Sequence, residues 1–434
     1  MIDIIDKKKC CGCGACVQAC AKKCILFEED AEGFRYPQVD SAKCTKCGAC
    51  EKACPVLYRK SPRQPISCFA AKSLDEHIRK KSSSGGVFTL LAERTILAGG
   101  VVFGAKFNSE WEVVHDYTET VEGIAGFRTS KYVQSRIGNS FRKAKGFLSQ
   151  GRPVLFSGTP CQIAGLHGYL RKGYDNLLTV DIICHGVPSP GVWRRYLAAV
   201  RKNVRKGENS VSSPLTHGVL GHDALDRCGS VSIESISFRD KRLGWKKFSF
   251  ALTLAEASAD GKQNTVSFSH IHHDNPFMQA FLSNMILRPS CYDCPSKGGR
   301  SGSDVTLADY WGIDRQMPDY DDDRGVSLLL VNTSKGAGAC HGLAVESREV
   351  TVKDALAHNL SFYWAVQPHV NRDRFFRKYE SSNMDIVRLM EKYTKKPIYM
   401  QVTCKMKSGI KKALGKIFPS GTTRMLSNKY LTEL

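Results

Sequence analysis

The sequence predicts an α+β protein of unlike parts: a small cysteine-rich module over residues 1–58, then a larger α/β domain with a mixed sheet over residues 66–365. Three observations carry this. Eight of the eighteen cysteines fall in two matching runs within the first fifty-five residues. Arg59 to Pro65, with two prolines and three basic residues, reads as a linker. From Ser67 onward, short apolar runs alternate with stretches of helical periodicity. The length of 434 residues suits two or three domains, and residues 366–434 are read as a third part, a basic helical tail.

The first cysteine run is Cys10-x2-Cys13-x2-Cys16-x3-Cys20, and the second is Cys44-x2-Cys47-x2-Cys50-x3-Cys54 before Pro55. This spacing holds a pair of [4Fe-4S] clusters, with the fourth cysteine of each run crossing to the other cluster. The expected sets are Cys10, Cys13, Cys16 and Cys54 for one cluster, and Cys44, Cys47, Cys50 and Cys20 for the other. Gly12, Gly14 and Gly48 let the backbone come close to the sulfurs. Zinc, whose usual site takes two separated ligand pairs, does not account for two runs of four. Ala21 stands where a proline would be usual, and Cys11 and Cys24 are extra, read as structural. The intervening ILFEEDAEGFRYPQVD reads as a hairpin.

In the larger domain, SCFAAK is strand-like, and Ser82 to Gly86 open a helix with Val87, Leu90, Leu91 and Leu97 at helical spacing. VVFGAKF and WEVVHDY form a hairpin. RPVLFSGTPCQIAGLHGYL is a strand, a sharp turn and a helix; NLLTVDIICHGVPSP is a buried strand entering a loop. PGVWRRYLAAV is a helix with proline early in it. Residues 203–230 are polar and glycine-rich and read as an insertion. Strands follow at Val231 to Phe238, Phe248 to Leu254, VTLAD and VSLLLVN, with helices over Phe277 to Leu287 and Arg374 to Lys392.

Outside the first module, Cys161 stands at a strand-to-helix turn, Cys184 at a strand end, and Cys291 and Cys294 form a CxxC pair. Alone, Cys161 and Cys184 read more readily as buried core thiols, and the CxxC pair is a signal shared by zinc sites and redox dithiols. Together they are four thiols on loops, enough for one more cube.

SSSGGVF, SKYVQS, LFSGTPCQ, DIICHGVPSP, RPSCYDC and DVTLADYWGI occur in that order across residues 82–313. They resemble the coenzyme F-420 hydrogenase/dehydrogenase beta-subunit family, in the bacterial, polysaccharide-cluster type that carries an N-terminal ferredoxin module. The resemblance implies a flavoprotein with FAD beside a third [4Fe-4S] cluster held by Cys161, Cys184, Cys291 and Cys294. Ser83, Ser84, Gly85 and Gly86 at a helix start would suit the diphosphate, although a serine cap with a glycine pair reads the same way. Ser130, Lys131, Tyr132 and Gln134 offer hydrogen bonds, a cation and an aromatic face for the flavin; a solvated strand end is the plainer alternative. Ser157, Gly158 and Thr159 flank Cys161, and His185 follows Cys184 as either a cofactor contact or a structural histidine. Asp304, Asp309 and Trp311 line the pocket or pack at a strand end. His270, His272 and His273 read as a polar rim segment rather than a metal site.

The formal charge of +21 is offset in part by clusters that each carry about minus two or three with their thiolates. What remains favours acidic partners such as a reduced ferredoxin or an anionic small-molecule substrate, and no nucleic-acid motif is present. Free thiols and clusters point to a reducing cytoplasmic setting, and the N-terminus lacks a signal-peptide core. In the tail, Met406, Ile410, Leu414 and Ile417 share a helical face among lysines. That face either touches an anionic membrane peripherally or packs on the protein itself. The leading expectation is an iron–sulfur flavoprotein reductase passing electrons through three [4Fe-4S] clusters and FAD to a nucleotide-sugar or glycan-related substrate. The alternatives are a coenzyme F-420-dependent oxidoreductase and an electron-transfer subunit of a larger complex.

Overall fold

The structure, a computed structural model, describes residues 1–205, 231–257 and 263–394. The basic tail segment with Met406, Ile410, Leu414 and Ile417, most of the stretch expected as an insertion, and Cys228 and Cys404 lie outside those residues.

The N-terminal module is a ferredoxin-type unit with an internal repeat. Each cysteine run supplies a short helix, α1 (Ala15–Ala19) and α2 (Ala49–Lys52). Between them β1 (Ile25–Glu29) and β2 (Arg35–Val39) form the expected antiparallel hairpin.

The larger domain is built on a mixed sheet. Its strands in chain order are β3 (Ser67–Ser73), β4 (Val101–Phe107), β5 (Val113–Thr118), β6 (Val154–Gly158) and β7 (Leu177–Ile182). A separate antiparallel sheet follows, of β8 (Val231–Asp240), β9 (Ser249–Ala257) and β10 (Gln263–Ile271). β11 (Val305–Asp309), β12 (Ser327–Val331) and β13 (Val345–Val350) then return to the main sheet, whose order is β13-β3-β12-β11-β7-β6-β4-β5. The four strands β11, β7, β6 and β4 run parallel, and the flanking pairs are antiparallel.

The pleat sorts the sheet's residues to two faces. Val102 and Leu155 join a core under α4 (Val87–Leu97), which follows the small α3 (Glu76–Lys80). Val101, Phe103, Val154 and Phe156 point the other way, toward α5 (Ser140–Ser149) and α6 (Pro160–Leu170). α6 is also the platform for the N-terminal module. A Cβ on Gly165 would stand 2.9 Å from the Cys13 side chain, and one on Gly168 would stand 2.4 Å from the Ala53 carbonyl. Only glycine allows so close an approach.

α7 (Pro190–Arg205) and α8 (Pro276–Leu282) enclose an aromatic core around the buried Trp193. The helix expected to run to Leu287 stops early, because Asn284 turns to a φ of 64°. Two short helices, α9 (Ile313–Gln316) and α10 (Ser334–Cys340), separate the last strands, and a third, α11 (Val352–Leu356), follows β13. The helix expected over Arg374 to Lys392 is two, α12 (Arg372–Ser381) and α13 (Ile386–Thr394), broken where Ser382 becomes extended. Phe375, Ile386 and Met390 join the Trp193 core. Residues 372–394 therefore belong to the domain rather than to a tail that begins at residue 366.

Candidate functional site

Each cysteine run turns on a glycine. Gly14 and Gly48 hold φ values of 74° and 72° at the starts of α1 and α2, a left-handed conformation that strains any residue with a Cβ. The first turn brings Cys10, Cys13 and Cys16 around one cavity, and Cys54 from the second run joins them there. Burial, then the neighbouring Cys10 and Cys54 thiols, push Cys16 up to about 12. Cys20 leaves this group. Its Sγ lies 3.4 Å from Cys24 Sγ, and Cys24 in turn meets Cys44. Cys44 and the exposed Cys47 precede the second turn, and the buried Cys50 follows it in α2.

The second assembly stands past the ends of two neighbouring parallel strands, where open α/β sheets place their ligands. Cys161 lies in the first turn of α6, just beyond β6, and Cys184 lies two residues beyond β7. Cys291 comes from a 3-10 turn, Pro289–Asp293, and Cys294 closes it. A β-bridge between Pro188 and Leu287 sets these loops in register. The Val187 N–H then donates to Cys291 Sγ at 3.4 Å. All four thiols line one cavity.

Burial pushes Cys184 up to about 12 and Cys291 well above its ordinary value, so these thiolates need cations to form. Lys297 supplies one. It is buried, it donates to the Cys184 carbonyl at 2.6 Å and the Ser361 carbonyl at 2.5 Å, and its charge favours the Cys184 and Cys294 thiolates. Asp181 lines the same cavity, raised to about 6 by burial and opposed by hydrogen bonds from Ser301 and Thr306.

The donor set fits iron–sulfur cubes. Among the described residues, no three Cys, His, Asp or Glu side chains close on a single metal-ion site. Two groups, Cys161, Cys184, Cys291 and Cys294 and Cys10, Cys13, Cys16 and Cys54, each ring a cavity, an arrangement that suits a cube. Cys11, expected to be a structural extra, lies between the two cavities and lines both. Its thiol is within hydrogen-bond reach of Cys13 and of Cys161.

The residues expected at a flavin are brought together only in part. The Ser130 N–H donates to Ser83 Oγ at 2.7 Å, and Tyr132 stacks on Phe281 at 4.7 Å. Phe281 also meets the edge of His185 at 5.4 Å, and His185 lines the Cys184 cavity. The His185 Nε2 pairs with Asn284 Oδ1 at 2.6 Å, and burial lowers its pKa. Lys131 Nζ donates to the Arg128 and Thr129 carbonyls, and burial takes it down to about 7. Thr159 caps α6 and reaches Cys161 Sγ at 3.2 Å, beside Gly158, whose Cβ position faces Gln162.

Other members of the set are occupied. Ser84 Oγ donates to the Val326 carbonyl, the Gly85 N–H donates to Ser327 Oγ, and Ser157 Oγ donates to the Phe103 carbonyl. A Cβ on Gly85 would stand 2.2 Å from the Ala71 carbonyl, so strand packing alone accounts for that glycine. Gly86 is the left-handed cap of α4. Gln134 faces the N-terminal module, donating to the Cys11 carbonyl at 3.1 Å.

Two arginines carry no local signal in the sequence. Arg239 on β8 pairs with Asp309 at 3.0 Å, reaches the Ser83 carbonyl, and lies over Trp311. Arg288, inside the RPSC segment, crosses to the N-terminal module. It donates to the Cys10 carbonyl at 2.8 Å and the Arg35 carbonyl at 3.0 Å. Asp304 is held by the Thr179 N–H and hydroxyl, a strand-end role. His272 bonds the Phe248 carbonyl and stacks on its ring, and His270 is buried in β10. No helix among the described residues is long and apolar enough to cross a membrane.

A family model described as the C terminus of the coenzyme F-420 hydrogenase/dehydrogenase beta subunit matches residues 151–356. A second, described as a 4Fe-4S dicluster domain, matches residues 9–57. No curated protein matches the chain. Among solved structures, the chain is similar to one from the xenon-derivatised F-420-reducing [NiFe] hydrogenase complex of Methanosarcina barkeri. The two are 15% identical over 76% of this chain and 91% of that one, with a TM-score of 0.40.

Proposed function

We propose that this chain, whose residues 151–356 match the C-terminal domain of the coenzyme F-420 hydrogenase/dehydrogenase beta subunit and whose residues 9–57 match a 4Fe-4S dicluster domain, is an FAD-dependent iron–sulfur reductase. Three [4Fe-4S] clusters would supply one-electron carriage, and FAD would supply two-electron reduction of a small-molecule substrate. The observation that carries this reading is the convergence of Cys161, Cys184, Cys291 and Cys294 on one cavity, with Cys11 between it and the N-terminal sulfurs.

Each residue has its own task in this reading. The four cysteines hold the third cluster while Lys297 offsets its negative charge. Ser83, Ser130, Tyr132 and Arg239 would hold the flavin, and the ring contacts of Tyr132 with Phe281 and of Phe281 with His185 would link that site to the Cys184 cavity. Arg288 holds the N-terminal module against the larger domain. A reduced ferredoxin or similar carrier is the donor, and a nucleotide sugar or related glycan precursor suits the cationic chain as substrate.

The test is cofactor content of the anaerobically purified protein. It should hold about twelve irons and matching sulfide, with one FAD. Cys161→Ser and Cys294→Ser should each bring iron to about eight. Iron of about eight in the unaltered protein would remove the third cluster, and absence of flavin after reconstitution would remove the reductase. Adding reduced coenzyme F-420 separates the hydride-partner reading: prompt bleaching of the flavin would favour it.

A further inference from the structure

A cavity of about 470 Å³ lies at the junction of the N-terminal module and the larger domain. Lys52, Arg59, Lys60, Arg171, Lys172 and Arg300 line it, and no aspartate or glutamate does. These cations come from α2 and the linker that soon follows it, from the end of α6 and from the loop before β11, three regions far apart in sequence. Among the described residues, none of the six forms an ion pair. Asp304 does act on Lys60 and His167, but it is buried and bonded to Thr179 and Thr333.

The size of the cavity also points to a ligand. The volume lies within the usual range for small-molecule sites, about 300–1,000 Å³. Like charges gathered from three regions repel one another until an anion joins them. Three of the six are arginines, whose planar forks match phosphate oxygens in pairs. Cys54 and Ser296 sit at its wall, so an occupant would lie between the first sulfur group and the CxxC loop.

We propose that this cavity binds the diphosphate of a nucleotide-sized small molecule and thereby fastens the N-terminal module to the larger domain. The site stands independently of where the flavin ring lies. The diphosphate has two sources, a free nucleotide or the protein's own FAD, and the experiment separates them.

Full-length protein, anaerobic and with its cofactors, is titrated with ADP by calorimetry. The comparison is with the Lys60→Ala/Lys172→Ala double variant and with Lys172→Arg. A free nucleotide predicts saturable binding that weakens at least about tenfold in the double variant, weakens with added salt, and changes little in Lys172→Arg. Iron and flavin content then stay level. The FAD source predicts no ADP binding to the unaltered protein and a flavin content that falls severalfold in the double variant alone. No ADP binding together with unchanged flavin overturns the proposal. So does ADP binding that the double variant leaves intact, or an acidic ferredoxin that binds this face while ADP does not.

Discussion

Arg288 shows how much one side chain can hold in this molecule. It is 1% exposed, and although it belongs to the larger domain, most of its bonds are made to the N-terminal one. Its guanidinium reaches the Cys10 and Arg35 carbonyls, meets Gln134 Oε1 at 3.1 Å, lies 3.6 Å from Cys10 Sγ and covers the Tyr36 ring at 4.2 Å. Removing it leaves two half-buried carbonyls without this donor, and hydrogen bonds to a charged group each contribute about 1.5–3 kcal/mol. Arg288→Met should therefore destabilise the protein by about 3 kcal/mol in anaerobic denaturant unfolding, with Arg288→Lys between the two. A change under about 0.5 kcal/mol would show that the arginine holds nothing. The same charge beside Cys10 should make the nearby cluster easier to reduce, so the variant's midpoint should fall. The two N-terminal cysteine runs are legible because a dicluster domain writes its spacing locally into the chain. Arg288 is not, since its partner is 278 residues away and no local pattern records that.

Elements are legible where one face is buried and opaque where burial is weak. β6, α6 and β7 follow the sequence reading closely because apolar runs and a capping turn mark them. β13 escapes it: its residues are exposed or half-buried along the sheet edge, so no apolar alternation marks it. β10 escapes it because HIHHD reads as polar, although His270 is buried and His272 stacks on Phe248. The helix α6 carries the clearest element-scale consequence. Gly165→Val should place a branched side chain against Cys13, lowering iron content and opening the linker at residues 59–65 to proteases. Iron content and a proteolysis pattern matching the unaltered protein would show that the two units do not depend on this contact. A second consequence follows from β5. His115 is buried, bonded to Ser135 Oγ at 2.9 Å and to the Ser157 carbonyl at 3.0 Å, and burial takes it from the ordinary 6.5 down to about 4. The folded ring stays neutral while the unfolded chain takes up a proton between those values. Stability present above pH 6.5 is therefore lost as pH falls toward 4, by about 2 kcal/mol between about pH 7 and pH 5. His115→Gln should flatten that part of the profile relative to the unaltered protein, and comparing the two cancels the acid lability of the clusters. Parallel profiles would mean that other groups set the dependence.

At the scale of the whole molecule, the three sulfur groups differ most in their cover, and cover should set the order in which they give up iron. The group of Cys44, Cys47, Cys50 and Cys20 is the outermost: Cys47 is exposed and Cys44 half-buried. The group of Cys10, Cys13, Cys16 and Cys54 is sheltered by α6 and Arg288. The group of Cys161, Cys184, Cys291 and Cys294 is half-buried, but it ties together the ends of two central strands and the 3-10 turn. A chelator must reach iron through solvent or wait for local opening, and opening is rarest where the elements are central to the sheet. Iron should leave in steps under an anaerobic chelator, about four atoms from the outer group first and the cluster of the larger domain last. Low-temperature EPR of samples withdrawn along the course assigns each step, because Cys161→Ser should lack the slowest one. Because each loss also unties the loops its cluster joins, only the last step should bring cooperative unfolding of the main sheet, seen by circular dichroism. Release of all iron in one phase, or loss of the Cys161 cluster first, would mean that the clusters and the fold come apart together and that burial does not rank them.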